Sequence, residues 1–332
     1  MKITTKIMAL TTLMLSTMII ISSENWFSMW IGLEINMLSF IPILKKNKNK
    51  NSSEAKMMYL LIQAMSSILF LFTIIMTPTM MMMSNMNLSM LLMNMTMFMK
   101  MGMAPMHMWF VNIMNKISWE NCIILMTWQK IGPMFILSNM NMNKTIIMIM
   151  TTFSAIIGAI GGINQTSMKM ILAFSSINHM GWLFFCMKFD NEMWIKYLII
   201  YSFLMMNLIM FLKKNSMNYI NQMTINMKTK TQKMNIIIMM MSIGGLPPFM
   251  GFLPKWIVIQ SILPSNEMII MLVLMMTSMI TLFYYMRMIS PIILMNSTTQ
   301  KWMMKSYENK KMMTWNLLFN LMLPMTMLLN MM

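Results

Sequence analysis

The sequence predicts an all-α fold, a polytopic transmembrane bundle of about eleven helices of which two are broken. Three observations carry this expectation. Of the 332 residues 58% are apolar and only 10% charged, which leaves no charged shell for a water-soluble core. Apolar runs repeatedly reach the roughly 20 residues that a helix needs to cross a bilayer. Charges gather in the stretches between those runs, and they gather unequally on alternate stretches.

Taken in order, the apolar spans lie near Ile3–Ile21, Trp26–Leu44, Met57–Thr77, Leu88–Asn112, Cys122–Ser138, Thr145–Ile163, Met168–Met187, Met193–Leu212, Asn235–Leu263, Met268–Ile289 and Met312–Leu329. The fourth and ninth exceed what a bilayer requires. Each is interrupted by Gly and Pro, at Gly102 and Pro105 in MGMAP and at Gly244, Gly245, Pro247 and Pro248 in GGLPPF. Non-helical backbone at membrane depth is tolerated where protein or water satisfies its polar groups, so such breaks usually line a cavity. Spans five apart enter the membrane in opposite directions. The chain is therefore expected to be a single membrane domain, residues 1–332, made of a first repeat over about 3–138, an inverted second repeat over about 145–289, and a C-terminal helix over about 312–329.

Alternation of sides turns charge counting into a test of the spans. The N-terminal side collects Lys2, Lys6, the run at 45–56, Lys116 with Glu120, Lys169, the five lysines between 213 and 233, Arg287 and the 301–311 loop, for a net +16. Glu24, Lys144, Lys188, Asp190, Glu192, Lys196 and Glu267 give the opposite side a net −1. This asymmetry follows the positive-inside rule and places the N-terminus toward the compartment of synthesis. The overall charge of +17 is thereby explained by a basic membrane protein, and no nucleic-acid partner is expected. Neither a cleavable signal nor an Arg-rich presequence precedes the first span, so synthesis beside the home membrane is expected. The 64 methionines, with scarce Ala, Val and Arg, read as the imprint of an AT-rich organellar genome and as core and lipid-facing filler. Cys122 and Cys186 sit inside apolar spans without metal or disulfide spacing, and no metal site is expected.

Four charges remain inside the spans: Glu34, Lys100, Lys130 and Lys255. A Lys or Asp at mid-membrane costs roughly 2.5–3.5 kcal/mol on the lenient insertion scale, so its presence needs a reason. Snorkelling supplies one for Lys6, Lys196 and Arg287, which lie near span ends. For the central groups two readings stand. They either form a buried ion pair that locks helices, or they are sites on a proton path, where burial disfavours the ammonium and a nearby carboxylate favours it. At ~6 Å and an effective dielectric of ~20, such a pair interacts by ~3 kcal/mol, enough for a small displacement to load or unload a proton. His107 falls seven residues after Lys100, nearly on the same face if the helix continues. Ser175 and His179 are four apart in mid-span. These three are candidates for lining a hydrated path, whereas Tyr197 and Tyr201 read as interface anchors or packing residues.

The stretches WIGLEINMLSFIPIL at 30–44, MKMGMAPMHMW at 99–109, TWQKIGP at 127–133, ILAFSSINHMGW at 171–182 and GGLPPFMGFLPKW at 244–256 resemble the subunit 2 family of mitochondrial NADH:ubiquinone oxidoreductase, respiratory complex I. Methionine usage resembles that of an insect or other invertebrate. The resemblance implies an antiporter-like subunit of the membrane arm that couples electron transfer from NADH to ubiquinone to proton translocation across the mitochondrial inner membrane, its N-terminus toward the matrix. It implies that the family's glutamate–lysine pair falls on Glu34 and Lys100, its central lysine on Lys130 and its outlet-half lysine on Lys255, where some sister subunits carry a glutamate. The histidine of its SSI-x-H-x-G-W stretch falls on His179. It also implies no cofactor in this chain, with NAD, FMN, iron–sulfur clusters and ubiquinone in partner subunits. The absence of a cysteine cluster and of a glycine-rich phosphate loop agrees with that. Implied partners are the other membrane-arm subunits, with lipids, cardiolipin among them, at the lysine-rich loops. Two alternatives remain open at this stage, a free-standing cation/proton antiporter and a non-transporting assembly scaffold.

Overall fold

The computed structural model describes residues 3–44, 50–82, 86–140, 144–189, 192–227, 229–263, 267–294 and 310–324. The lysine clusters counted at 45–49 and 301–309, Asp190, and the end of the eleventh span lie outside the described residues. Among the described residues every regular element is an α-helix, apart from an isolated antiparallel bridge between Ser167 and Tyr219. In chain order these are α1 (Ile3–Ser22), α2 (Trp26–Ile43), α3 (Lys50–Met82), α4 (Met86–Met101), α5 (Met108–Lys116), α6 (Trp119–Met126), α7 (Trp128–Asn139), α8 (Lys144–Ile163), α9 (Met168–Cys186), α10 (Met193–Lys214), α11 (Ile220–Asn226), α12 (Lys230–Gly244), α13 (Phe252–Ile262), α14 (Met268–Leu294) and α15 (Lys310–Leu321).

Six of these are each long and apolar enough to cross a membrane alone, within α1, α2, α3, α8, α10 and α14. The other expected spans map onto the remaining helices, and the reasons they differ are physical. Spans four, five and nine are each divided between two shorter helices. Span seven is α9, which is buried along nearly its whole length and carries Ser, Asn and His where a lipid-facing helix would be apolar. Span eleven is described only as far as residue 324.

Both breaks expected from Gly and Pro are present, and they are built alike. At the end of α4 the N–H of Met103 donates to Phe98 O and that of Gly102 to Met99 O; at the end of α12, Leu246 donates to Met241 O and Gly245 to Ser242 O. This is the Schellman arrangement, which needs a left-handed residue at its turn. Gly102 at φ +70° and Gly245 at φ +82° supply it. A third interruption was not anticipated. Thr127 divides span five into α6 and α7 with φ −115° and ψ −69°, and its hydroxyl donates to Ile123 O at 2.7 Å. No Gly or Pro marks that point in the sequence.

The chain forms two compact units, residues 1–150 and 151–332. In the first, α7 packs against α1, α2, α4 and α6, while α3 packs against α2, α4 and α5. In the second, α9 packs against α10, α13 and α14, and α12 against α10, α13, α14 and α15. Gly158 lets α8 press on α9: a Cβ there would lie 2.5 Å from the backbone N of Asn178.

Ion pairs sit at helix ends. Among the described residues Lys6 pairs with Glu120 at 2.8 Å, Lys116 with Glu54 at 2.6 Å, and Lys188 with Glu267. Each pair joins two residues that the charge count assigns to one side. Arg287 corrects the snorkelling expectation. Its guanidinium turns inward and donates to the carbonyls of Ile163 and, at 2.7 Å, Gln165. Those carbonyls at the end of α8 are acceptors that the helix itself leaves unsatisfied, and a planar fork of donors meets two at once.

Candidate functional site

In the first unit the fold brings Lys100 and Lys130 to one cavity. Lys100 is in the last turn of α4 and Lys130 in the first turn of α7, both almost wholly buried. A cavity of about 20 Å³ is lined by both lysines together with Asn36, Tyr59, Gln63, Trp109, Phe110 and Gln129. That is room for about one water molecule among polar partners. The wall is hydrogen-bonded across helices. Gln63 Nε2 donates to the carbonyl of Lys100 at 3.0 Å, Tyr59 OH donates to Gln129 Oε1 at 3.3 Å, and Gln129 Nε2 donates to Asn36 Oδ1 at 2.9 Å. The Lys130 ammonium lies 5.6 Å from the ring centre of Phe110, within cation–π range.

Glu34 is half-buried on α2, two residues before Asn36. No ion pair joins it to Lys100 among the described residues. A locked buried salt bridge is therefore not the arrangement at this site.

His107 does not share a face with Lys100. The helix that would carry that periodicity stops at Met101, and His107 follows the cis Ala104–Pro105 bond as the residue before α5. Its ring Nδ1 lies 3.0 Å from Pro105 O, half-exposed and away from the lysine cavity. Pro105 is exposed at the break, as are Pro247 and Pro248 at the other.

In the second unit Lys255 belongs to α13, beyond the break. Its ammonium reaches back to donate to Gly244 O at 2.9 Å and stands 5.8 Å from the ring centre of Trp182. The two lysines near breaks are thus held differently, Lys100 before its break and Lys255 after. Trp182 is on α9, one turn beyond His179. The His179 Nδ1 lies 2.8 Å from Tyr197 OH, and its ring centre 4.9 Å from that of Tyr201. Ser175, one turn earlier, donates its hydroxyl to Leu172 O at 2.9 Å, and Ser176 to Ala173 O at 2.7 Å, both within α9. Tyr197 and Tyr201 are each only 2% exposed, which rules out interface anchoring. They are buried partners of the histidine.

Sequence reading missed Tyr59, Gln63 and Gln129. One signal was available: an uncharged amide in the middle of an apolar run needs a buried partner. Among the described residues no group of three or more His, Cys, Asp or Glu could hold a metal ion.

Residues 23–281 match the family described as NADH:quinone oxidoreductase/Mrp antiporter, transmembrane. The chain belongs to this family. Among its curated relatives are proteins named NADH-ubiquinone oxidoreductase chain 2, from Anopheles gambiae at 39% identity over 93% of this chain and 92% of the relative, and from Aedes aegypti at 45% over 89% and 88%. Among solved structures the fold is similar to a chain of respiratory complex I from Thermus thermophilus, with a TM-score of 0.79 and 16% identity, over 96% of this chain and 79% of that one.

Proposed function

We propose that the chain is the chain 2 subunit of NADH–ubiquinone oxidoreductase, seated in the mitochondrial inner membrane with its N-terminus toward the matrix. There it couples electron transfer from NADH to ubiquinone, carried out on redox groups of partner subunits, to proton translocation. The observation that carries this reading is the buried polar cavity shared by Lys100 and Lys130. Two ammonium groups that line one small cavity repel one another, the more so away from bulk water. A proton arriving on one lysine therefore favours release from the other, and Glu34 biases the Lys100 end. Lys255, held between the Gly244 carbonyl and Trp182, serves the outlet half. His179 with Tyr197 serves proton transfer within the second unit, and His107 serves the exposed margin at the first break. The alike Schellman breaks favour treating residues of about 3–138 and 145–289 as inverted repeats. Neighbouring membrane-arm subunits, and anionic lipids such as cardiolipin at the lysine-rich loops, are the partners.

The test is Lys130→Met in the assembled, NADH-oxidising complex, with assembly checked on native gels. Proton pumping should fall at least about tenfold, as for loss of a group that must itself carry the proton. Full pumping at normal assembly would favour a scaffold, and migration of the chain apart from any large assembly would favour a free-standing antiporter.

A further inference from the structure

The shared cavity leaves one question open: what holds Lys130 in place. The helix carrying it begins at Trp128, directly after the interruption at Thr127, and the first turn of a helix has no hydrogen-bonded turn before it to fix its orientation. The backbone N–H of Lys130 donates to Thr127 O at 3.3 Å, a bond local to the interruption. The side chain next to Lys130 ties this turn to two other helices. Gln129 accepts from Tyr59 of α3 and donates to Asn36 of α2. Both partners are themselves fixed. Asn36 is 3% exposed, and the Tyr59 ring packs against Phe40 and Trp109 with centre distances of 5.1 and 6.4 Å. One turn along α3 from Tyr59, Gln63 holds the main chain of Lys100. A single face of α3 thus reaches both lysine-bearing helices, and Gln129 is its link to α7.

We propose that Gln129 is a positioning residue, whose two amide hydrogen bonds set where Lys130 stands in the cavity relative to Lys100 and Glu34. An amide suits this task because it donates and accepts at once without ever taking the proton being moved. The inference rests on the proposed proton-translocating role and assigns to it a residue that carries no charge.

Gln129→Met keeps the length and bulk of the side chain and removes both hydrogen bonds. In the intact NADH-oxidising complex, protons moved per NADH should fall about threefold to tenfold, the size expected for one or two mispositioned hydrogen-bonding groups. Gln129→Glu keeps the acceptor for Tyr59 and adds a carboxylate beside Lys130. The other charged or titratable groups lining the cavity with Lys130 are Lys100 from α4 and Tyr59 from α3; α2 carries Glu34 outside that lining, and α1 and α6 offer Lys6 and Glu120, which pair with one another near the helix ends. The added carboxylate favours the Lys130 ammonium. The alkaline limb of the pumping profile should move up by about one to two pH units, a change that altered packing alone does not produce.

Tyr59→Phe, which keeps the buried ring and deletes only the donor, provides the same reading should either variant fail to assemble, with a fall of about twofold to fivefold. Wild-type pumping in Gln129→Met or Tyr59→Phe, or an unmoved alkaline limb in Gln129→Glu, would overturn the assignment. If Lys130→Met still abolishes pumping in that case, only the role of Gln129 fails. If Lys130→Met pumps normally, the proton-translocating role fails with it.

Discussion

Replacing Gly245 by alanine adds one methyl group at the second break and alters no ionisable side chain, so it asks whether the placement of Lys255 matters. The residue sits at φ +82°, where an L side chain costs about 1–2 kcal/mol. The new Cβ would stand 2.7 Å from Lys255 Nζ and 3.0 Å from its Cδ, so the lysine must swing away. Swinging forfeits the 2.9 Å bond to Gly244 O, a charge-assisted bond worth about 1.5–3 kcal/mol. Together the cost is about 2.5–5 kcal/mol. Gly244→Ala is the matched control, since its Cβ would find only ordinary contacts, the nearest 3.6 Å away on Tyr285. That change should stay within about 1 kcal/mol. The assay is the temperature at which the chain leaves the assembled complex on native gels, with proton pumping per NADH measured alongside. Gly245→Ala should lower both while Gly244→Ala lowers neither. Equal behaviour of the two variants would refute the idea that the glycine's missing Cβ makes room for the lysine.

Gly102→Ala should be the harsher of the two left-handed substitutions, because its Cβ would meet Phe110 Cβ at 2.7 Å, an atom anchored to the backbone that cannot swing aside; loss of assembled complex is the readout. Arg287→Lys should destabilise the second unit by about 1.5–3 kcal/mol, since a single nitrogen lacks the planar fork whose two ends meet the Ile163 and Gln165 carbonyls separately, and thermal release of the chain measures it. Tyr197→Phe removes the hydroxyl 2.8 Å from His179 Nδ1 and leaves a buried ring nitrogen without that partner. A loss of about 1–3 kcal/mol is expected, with slower pumping at unchanged assembly. Glu120→Gln should change thermal stability by less than about 1 kcal/mol, because the Lys6 and Glu120 side chains are 47% and 46% exposed and water screens their pairing.

Much of the site was legible because membrane burial makes polar residues expensive and therefore informative. Glu34, Lys100, Lys130 and Lys255 stood out as charges inside apolar runs, and the three lysines are buried. Gly102 and Gly245 stood out because a spanning helix that stops must cap its carbonyls, and only a residue free to adopt positive φ closes that cap readily. His107 was misread for the converse reason. Its seven-residue spacing from Lys100 implies a shared face only along an unbroken helix, and the break that the same stretch announces removes the periodicity.

By itself the sequence determined that this is a helical membrane bundle, where two spans break and which few charges stay inside. All of these follow from one local cost, that of placing polar groups in hydrocarbon, which can be read residue by residue. Only the tertiary structure decided which of those groups meet. That Lys100 and Lys130 share a cavity, that Gln129 bridges to Tyr59 and Asn36, and that Arg287 turns inward to cap α8 depend on the packing of helices distant in the chain. No spacing along a single helix records that packing.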